Sequence, residues 1–497
     1  MVTALALAVY GLLLAAGVFA VWRRPVVAVY LWIVGLAVHN TVGAALYGAG
    51  VRGGALTTIQ AWKELLLAVA LLRVALDVVR ARRLPFRPGV VDALAVAYGT
   101  LVCVYAVIPQ HVLGGSAGRH AVGLALKHDL VPVAAYFVGR SLIVRRQEFV
   151  GLAWTIVAAG AVVATLGLID EYAISIAWWR SSAVVPYFNK HLGYDYHGTG
   201  GLPENFIYNV GGDKPFLRRL VSVFLSPLAT AYMLTVALLL AAGLWRRLRA
   251  LSVLCLVVAA GLLFTFSRSS LVALAAGLVV LAFAQRRWWP VAAAAATIGV
   301  SIAWVHVFPS IAATGRFTQA DLAYQHAVAK EHPGGSFSPT STNESSFRNH
   351  LTSLRDGAST VVHHPQGYGL GNAGQTASRT ETPIKAGESN YTEMGAETGV
   401  LGSVLWTVWV LALFAALLLK ARRTRWWAAV AVAAAFGAAA VLAVQTDVIG
   451  DPWMGYVLWS LAGMVLAIDP FRAREVATVE VVAQRPLQRA GVVRVEH

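Results

Sequence analysis

The sequence predicts an all-α polytopic membrane protein with about 12–13 transmembrane helices and two long extracytoplasmic loops. Hydrophobic residues make up 58% of the 497-residue chain, whereas charged residues make up only 13%, about half the fraction that is typical of a soluble protein. A chain of this composition can keep its apolar surface away from water only by lying in a lipid bilayer. The two cysteines, Cys103 and Cys255, both fall in apolar runs, so the sequence predicts no disulfide framework.

The apolar segments of the chain have the length of transmembrane helices. A helix needs about 20 apolar residues to cross the hydrocarbon core, and we identify thirteen candidate segments, the shortest of which fall somewhat below this length. The first lacks a preceding basic region and ends at Arg23-Arg24, so we interpret it as a retained helix rather than a signal peptide. The segments lie at roughly 3–22, 26–47, 57–79, 90–109, 121–143, 149–169, 220–244, 251–266, 269–284, 289–309, 395–419, 427–444 and 453–468.

Basic residues cluster on alternate connections between these segments, which indicates the cytoplasmic side of the membrane. The N-terminus is then predicted outside, and the connections at about 170–219 and 310–394 are extracytoplasmic. Connections of this length are usually functional or disordered. The basic clusters are Arg23-Arg24, Arg80 to Arg87, Arg140 to Arg146, Arg246 to Arg249, Arg286-Arg287 and Lys420 to Arg425.

The net charge of +16 falls almost wholly on the predicted cytoplasmic loops and tail. On a soluble protein this excess would suggest a nucleic-acid partner, but here it records topology, and we predict none. The predicted regions are N-terminal transmembrane helices (1–169), a first extracytoplasmic loop (170–219), central transmembrane helices (220–309), a large extracytoplasmic loop with short helices (310–394), C-terminal transmembrane helices (395–468) and a cytoplasmic tail (469–497).

Three arginines, Arg219, Arg268 and Arg348, are all predicted at the outer membrane face. Guanidinium groups gathered there suit a diphosphate, because the planar fork makes two charge-assisted hydrogen bonds with a phosphate group. The alternative is that each arginine extends to the lipid headgroups, as interfacial arginines commonly do.

Other charged residues lie where a cavity could accommodate them. Lys127-His128-Asp129 falls about two turns into the fifth segment, and Lys63-Glu64 lies near the outer end of the third. Charges at that depth usually face a cavity or one another, so the alternative is a self-neutralising cluster. Arg355 lies seven residues after Arg348, along one edge of an amphipathic helical stretch. We predict Lys63, Lys127 and Arg355 as possible cavity-lining residues.

Two sequence patterns suggest chemistry that we reject. The stretch Gly369-Leu-Gly-Asn-Ala-Gly374 fits the dinucleotide fingerprint, but no βαβ unit surrounds it in an exported loop. Its glycines more plausibly permit tight turns. The loop histidines match no zinc pattern, so we predict no metal and no cofactor; they are His326, His332, His350, His363 and His364.

Acid–base candidates remain within the large loop. His364 precedes Pro365 in a Gly-rich bend and is the histidine best placed for polar chemistry. Glu388 lies at the junction of the loop and the eleventh segment, free to act at the interface, whereas Glu397 lies deeper and needs a partner.

Four stretches together resemble the superfamily of bacterial O-antigen ligases and O-antigen polymerases. Arg219-Leu-Val-Ser-Val-Phe-Leu-Ser-Pro227 resembles the family's Arg–x–x–Gly–x–x–x–Asn–Pro stretch, and Thr265-Phe-Ser-Arg268 resembles its Thr–x–Ser–Arg turn. Arg348, followed by His364-Pro-Gln-Gly-Tyr-Gly-Leu-Gly371, resembles the large periplasmic loop with its Pro–x–x–Gly–x–Gly bend. Glu388 to Gly402 resembles the following stretch, which ends Glu–x–Gly–x–x–Gly. The match covers roughly residues 200–420.

Three departures from the family pattern stand out. Ser222 and Ser226 replace the usual Gly and Asn, and Glu388 stands where the ligases generally have His, followed by Ser389 in place of Asn. That His is proposed to assist catalysis in ligases. Its absence leaves open a polymerase, or Glu388 in the same role.

The resemblance implies a metal-independent membrane glycosyltransferase of the helical, lipid-phosphate-using type. The donor would be a glycan on undecaprenyl diphosphate at the outer leaflet of the cytoplasmic (inner) membrane, with the active site facing the periplasm or exterior. The acceptor would be a sugar hydroxyl on a lipid or on another glycan. Arg219, Arg268 and Arg348 would clamp the diphosphate, and Glu388 or, second, His364 would act as general base.

The outer loop at 170–219 is rich in aromatic residues that could stack on sugar faces, or could belong to the interfacial belt. They are Trp178, Trp179, Tyr187, Tyr194 and Tyr196. The alternative function is a transporter or flippase for lipid-linked or charged solutes, which the intramembrane Lys127-His128-Asp129 group would serve. A scaffold role in wall assembly is a third reading.

Overall fold

Apolar helices dominate the structure, which is a computed structural model. It describes residues 1–497 except 143, 145, 204, 212–213, 245–250, 332–343, 388 and 469–497. The predicted cytoplasmic tail, the basic cluster from Arg246 to Arg249, His332 and Glu388 therefore lie outside the described residues.

The helices of the N-terminal region match the predicted segments closely, because a long apolar run in a bilayer satisfies its backbone hydrogen bonds by forming a helix. The second predicted segment is broken, since its two helices meet at an angle of 55°. These helices are α1 (Val2–Arg23), α2 (Val26–Ala37), α3 (His39–Gly48), α4 (Gly53–Gln60), α5 (Trp62–Ala81), α6 (Val90–Val107), α7 (Arg119–Ser141) and α8 (Arg146–Ala173).

The remaining helices follow the first outer loop. That loop holds α9 (Ile176–Ser181) and α10 (Val184–Pro186). The later helices are α11 (Pro227–Leu244), α12 (Leu251–Phe264), α13 (Arg268–Gln285), α14 (Trp289–Ile311), α15 (Gln319–Glu331), α16 (Ser345–His363), α17 (Gly374–Arg379), α18 (Asn390–Thr424), α19 (Trp427–Leu442) and α20 (Trp459–Ala467).

The predicted class of polytopic all-α membrane protein is confirmed. Within the described part of the chain, eight helices are long and apolar enough to cross a membrane, or nine if α2 and α3 form one span. Three further apolar helices, in the regions of α12, α19 and α20, are shorter than 18 residues. Helix α5 carries Lys63, Glu64, Arg73 and Asp77, and these charges keep it below the apolar composition of the other spans.

The core of the bundle lies around α19, where almost every residue is buried. Helices α7 and α20 pack closely against each other, because glycine lets their backbones approach. A Cβ atom on Gly139 of α7 would lie only 2.1 Å from the carbonyl oxygen of Ser460 in α20. The peripheral α1 buries only Val21, as a helix facing lipid would.

A small antiparallel sheet joins the two long outer loops, and the sequence did not predict it. Strands β1 (Ile207–Tyr208) and β2 (Phe216–Arg218) come from the first loop, and β3 (Thr314–Gly315) begins the second. Ile207 pairs with Arg218 and Phe216 with Gly315. Strands of two or three residues are too short to show the alternation by which a sequence reveals a strand.

Helix α18 is kinked at Thr398 and Gly399, where the backbone leaves the helical conformation. Gly399 has a φ of 73°, a left-handed conformation that favours glycine. The bend from His364 to Gly369 fills the break: Tyr368 N donates to the carbonyl of Ala396 (2.7 Å) and Gly369 N to that of Glu397 (2.9 Å). The broken helix thus keeps its carbonyls hydrogen-bonded.

Replacing Gly399 by alanine should destabilise the protein by about 1–3 kcal/mol, because a non-glycine residue is strained at this φ. The added Cβ would also lie 2.3 Å from the carbonyl oxygen of Pro365. A lower Tm of the purified protein in detergent would verify this. Gly299→Ala in α14 is the matched control, since no atom lies within 4 Å of its Cβ position. Equal Tm values for the two variants would contradict the role assigned to the break.

Candidate functional site

The turn between α12 and α13 brings two of the predicted anion-binding arginines together. Arg268 is the first residue of α13, so the positive end of the helix dipole lies beside its guanidinium. Leu220 N donates to the carbonyl of Phe264 (3.0 Å), and Arg219 Nε donates to that of Thr265 (2.9 Å). The segment that carries Arg219 is therefore fastened to the turn that carries Arg268.

Arg219 is a buried guanidinium with no ion pair to any described carboxylate. Only 7% of the residue is exposed, and its contact with Asn205 Oδ1 is long at 3.5 Å. Burial and the nearby charge of Arg268 lower the pKa of Arg219 to about 10, so it stays positive at neutral pH. A buried cation without a counter-charge is costly and favours a bound anion.

The preceding residue, Arg218, has the opposite environment. Its Nη2 lies 2.6 Å from Asp170 Oδ2 and its Nε 3.7 Å from Glu171 Oε2. Its Nη1 also donates to the carbonyl of Ile174 (2.6 Å), near the C-terminal end of α8. Arg218 thus ties β2 to α8, and its charge is compensated within the fold.

The guanidinium of Arg268 already holds an anionic oxygen. Glu344 Oε1 accepts a hydrogen bond from Arg268 Nη2 (3.0 Å) and another from Tyr208 Oη (3.1 Å). Burial and the adjacent Glu344 raise the pKa of Tyr208, so this phenol is a hydrogen-bond donor at neutral pH. Together Arg268 and Tyr208 form a site of the kind that accepts carboxylate or phosphate oxygens.

Arg348 and Arg355 both lie on α16 with exposed side chains. The backbone N–H of Arg348 donates to the carbonyl of Glu344 (3.0 Å), which places Arg348 one turn from the carboxylate bound to Arg268. Arg355 lies two further turns along the helix. Both predicted roles, diphosphate binding for Arg348 and cavity lining for Arg355, stay predictions.

His364 lies in the bend that fills the break of α18. Its Nε2 lies 2.8 Å from the carbonyl of Leu113, so this nitrogen is the donor, and Nδ1 is the accepting nitrogen, 3.2 Å from Gln366 Nε2. The ring stacks on Tyr368 with centroids 3.8 Å apart. No described contact joins His364 to Arg219 or Arg268. Glu388, the first candidate base, is outside the described residues.

The predicted Gly-rich turns are confirmed in the stretch from Gly369 to Gly374. Gly369, Gly371 and Gly374 all have positive φ values, and Gly371 N donates to Glu397 Oε1 (2.8 Å). The stretch precedes the short helix α17 and packs against α18, without the βαβ surroundings of a dinucleotide site.

Lys63 and Lys127 share one carboxylate. Lys63 Nζ lies 3.4 Å from Glu64 Oε1, and Lys127 Nζ lies 3.3 Å from the same atom. A self-neutralising cluster of Lys127 with its own neighbour Asp129 is therefore wrong, because Asp129 pairs with His128 instead. Lys63 is buried and Lys127 is about half exposed, so only Lys127 offers much of its surface to a solute.

A second polar cluster lies inside the bundle, where α7, α18 and the connection after α19 meet. His128 Nδ1 lies 2.8 Å from Asp129 Oδ1, and its Nε2 lies 3.1 Å from Asp447 Oδ1. Asn390 Nδ2 donates to Asp447 Oδ1 (2.7 Å). Burial opposes the ionisation of Asp447, but His128 and its hydrogen-bond donors hold the pKa of Asp447 below its usual value. Glu393 of α18 completes the group.

The aromatic residues of the first outer loop divide into two sets. Trp179 and Tyr187 are buried in a local apolar cluster. The prediction that they could stack on a sugar is therefore wrong, because their rings are covered by the protein. Trp178 is 53% exposed. Tyr194 and Tyr196 stack on each other, with centroids 5.4 Å apart, and are half-buried. A sugar-stacking role stays a prediction for these three.

Sequence reasoning missed Tyr208, Glu344, Glu393 and Asp447 as site residues. Tyr208 and Glu344 lie in outer loops without periodicity, 60 residues before and 76 residues after Arg268 respectively. No local pattern could have joined them. Asp447 could have been predicted as a site residue from the sequence, because it follows an apolar span. An acidic residue there needs a polar partner, as Asp129 does within its own span.

The two serines that depart from the family pattern can serve the same local structural roles as the residues they replace. Ser222, where the family has Gly, adopts a φ of 50°, in the left-handed region that favours glycine. Its hydroxyl donates to the carbonyl of Val163 (2.6 Å). Ser226, where the family has Asn, accepts a hydrogen bond at Oγ from Ala229 N (3.3 Å), as an N-cap of α11 would.

The apolar helical bundle makes the chain an integral membrane protein, with paired arginines at the turn before α13. Residues 252–407 match the family model described as O-antigen ligase. This match covers less than half of the chain, and it confirms the resemblance stated from the sequence. The matched stretch includes Arg268, Glu344, Arg348 and His364, whereas Arg219 precedes it. A search of curated proteins found no significant match.

Proposed function

We propose that the protein is a membrane glycosyltransferase that transfers or polymerises a glycan from undecaprenyl diphosphate. The acceptor is a sugar hydroxyl at the outer face of the cytoplasmic membrane. The observation that carries this proposal is the buried, uncompensated Arg219 beside Arg268, and Arg268 lies in the family-matched region. The family acts on glycans, and the arginine pair supplies an anion site of the kind that a diphosphate leaving group requires.

The chemical step makes one bond and breaks one. The acceptor oxygen attacks the anomeric carbon, the bond from that carbon to the diphosphate oxygen breaks, and the bonding electrons leave on the diphosphate. Two guanidinium groups and the positive end of α13 stabilise the negative charge that develops there. Preorganised donors of this kind act without reorganising during the reaction, so we expect no metal ion in the step.

Glu344 acts as the resting counter-ion of Arg268 in this scheme. A carboxylate oxygen between Arg268 and Tyr208 stands in for a phosphate oxygen of the donor. Binding of the diphosphate then replaces one anion by another at Arg268, so its guanidinium always has an anionic partner. Arg348, one turn from Glu344, adds positive charge on the exposed side.

A general base takes the proton of the acceptor hydroxyl. We assign this role to Glu388 first and to His364 second, with Nδ1 as the accepting nitrogen of the histidine. Glu388→Gln should lower the transfer rate by about 10²–10⁴-fold, because loss of a general base costs roughly that factor. The rate is measured with saturating donor and acceptor. His364→Gln is the comparison: an unaltered Glu388→Gln rate together with a slowed His364→Gln rate would move the role to His364.

The decisive experiment uses the purified protein with an undecaprenyl-diphosphate oligosaccharide and reads the products by mass. A ladder of chain lengths identifies a polymerase, and a single transferred unit identifies a ligase. No glycosidic product, with solute flux into proteoliposomes instead, would replace the proposal by the transporter alternative. The buried charged cluster around His128 is the observation that favours that alternative, since transporters place ionisable groups inside the membrane.

A further inference from the structure

We propose that His128, Glu393 and Asp447 bind a divalent cation of the class of Zn²⁺ or Mn²⁺. Each side chain offers one ligand atom, and the three atoms lie within 4.8 Å of one another. One imidazole with two carboxylates is a donor set that these ions accept. The site shares no residue with the arginine pair and extends beyond the glycosyl-transfer proposal.

The orientation of His128 is that of a metal-binding histidine. Its Nδ1 faces Asp129 Oδ1 at 2.8 Å, so Nδ1 donates its proton there, and Nε2 would offer a lone pair once a metal ion replaces the proton that it donates to Asp447. Metal-ligating histidines almost always donate their other ring N–H to a carboxylate or carbonyl in this way. Nε2 lies 3.1 Å from both carboxylate oxygens of Asp447. Ligand atoms about 2.0–2.1 Å from a tetrahedral Zn²⁺ are separated by roughly 3.3 Å, close to this spacing.

Glu393 supplies the observation that points to a missing ligand. It is only 2% exposed, and its buried Oε2 has no hydrogen-bond partner in the described structure. Asp447, by contrast, accepts hydrogen bonds from Asn390 Nδ2 (2.7 Å) and Gly450 N (2.8 Å). A buried carboxylate oxygen without a donor is costly. A cation between Glu393 and Asp447 would remove that cost.

The balance of charge around His128 also favours a cation. Within the described residues, Asp129 and Asp447 form ion pairs with His128 alone. Neither Glu393 nor Glu397, one turn further along α18, pairs with any lysine or arginine there. Even with a charged imidazole, the four buried carboxyl groups face one positive charge among the described residues, so protons or a cation must neutralise the rest. A divalent ion corrects this excess and ties α7, α18 and the connection after α19 together.

The test is metal uptake by the full-length protein in detergent, stripped with EDTA and then incubated with Zn²⁺ alone or Mn²⁺ alone. We expect about one ion per chain by elemental analysis and a higher Tm with the ion than without it. Glu393→Gln, which keeps the side-chain volume, should bind the ion at least about tenfold more weakly. Asp129→Asn, which alters only the partner of the ligand, should weaken binding about 10–100-fold.

The matched control is His120→Gln, because His120 lies two turns before His128 on α7 and is exposed. This variant should bind the ion like the unaltered protein. Uptake that survives Glu393→Gln would come from other histidines and would overturn the proposal. A protein that takes up neither ion would also overturn the proposal. A raised Tm of the EDTA-treated Glu393→Gln variant would then show that protons neutralise the cluster.

Discussion

Arg268→Ala is expected to abolish glycan transfer while the protein folds and inserts normally. The guanidinium lies at the start of α13, where it holds the oxygen of Glu344 and where we propose that it holds a phosphate oxygen of the donor. Removing one preorganised donor to a developing anion costs roughly 10²–10³ in kcat. Tyr208 still donates a hydrogen bond to Glu344 in the variant, so the loss should appear in the transfer rate rather than in folding. The measurement is initial rate against donor concentration, with folded protein quantified by its Tm.

Arg119→Ala is the matched control for this variant. Arg119 is also the first residue of a long helix, α7, and its side chain is exposed. If position at a helix N-terminus on the outer side were enough, both variants would lose activity. Full activity of Arg268→Ala would refute a role of Arg268 in binding the diphosphate. Equal losses in the two variants would mean that any positive charge at this membrane face has the same effect.

The neighbouring arginines Arg218 and Arg219 should show opposite phenotypes. Arg219→Lys keeps the charge but loses the planar fork, so it should cut transfer by about 10²-fold or more with little change of Tm. Arg218→Met leaves Asp170 and Glu171 without their buried partner, so it should destabilise the protein by about 3–5 kcal/mol. Transfer assays and thermal unfolding of both variants at matched protein levels provide the comparison.

The comparison shows whether each arginine binds a ligand or stabilises the fold. A strongly lowered Tm for Arg219→Lys would mean that Arg219 stabilises the turn before α13 rather than a ligand. Normal stability of Arg218→Met would mean that its contacts with α8 contribute little. The pair is informative because the two arginines are adjacent in the sequence, whereas the fold provides them with different partners.

The sequence predicts the membrane architecture well because the bilayer imposes a length and a composition on every span. It predicts less well where a span is bent or charged, as in the 55° break between α2 and α3. The start of the seventh segment is also displaced. It is predicted at residue 220, but α11 begins at Pro227, because Ser222 and Leu225 have positive φ values and interrupt the helix.

The candidate site is only partly readable in the sequence. Arg219 and Arg268 are found because topology places both at one membrane face, and the structure brings them together. Glu344 and Tyr208 are not found, because their approach depends on how two outer loops fold against each other. The alternative of a Lys127–Asp129 cluster is wrong for a similar reason: Asp129 is nearer in the sequence, but the ammonium group of Lys127 pairs with Glu64.

The small sheet between the outer loops has a consequence for biosynthesis. Strand β2 leaves the ribosome before its partner β3 at Thr314–Gly315, about 100 residues later. At the usual rate of synthesis this is a delay of roughly 5–20 s. During that interval four helices must enter the bilayer while the first outer loop waits without its third strand. Tyr208 and Arg219 therefore reach their final positions only after most of the central helices have been inserted.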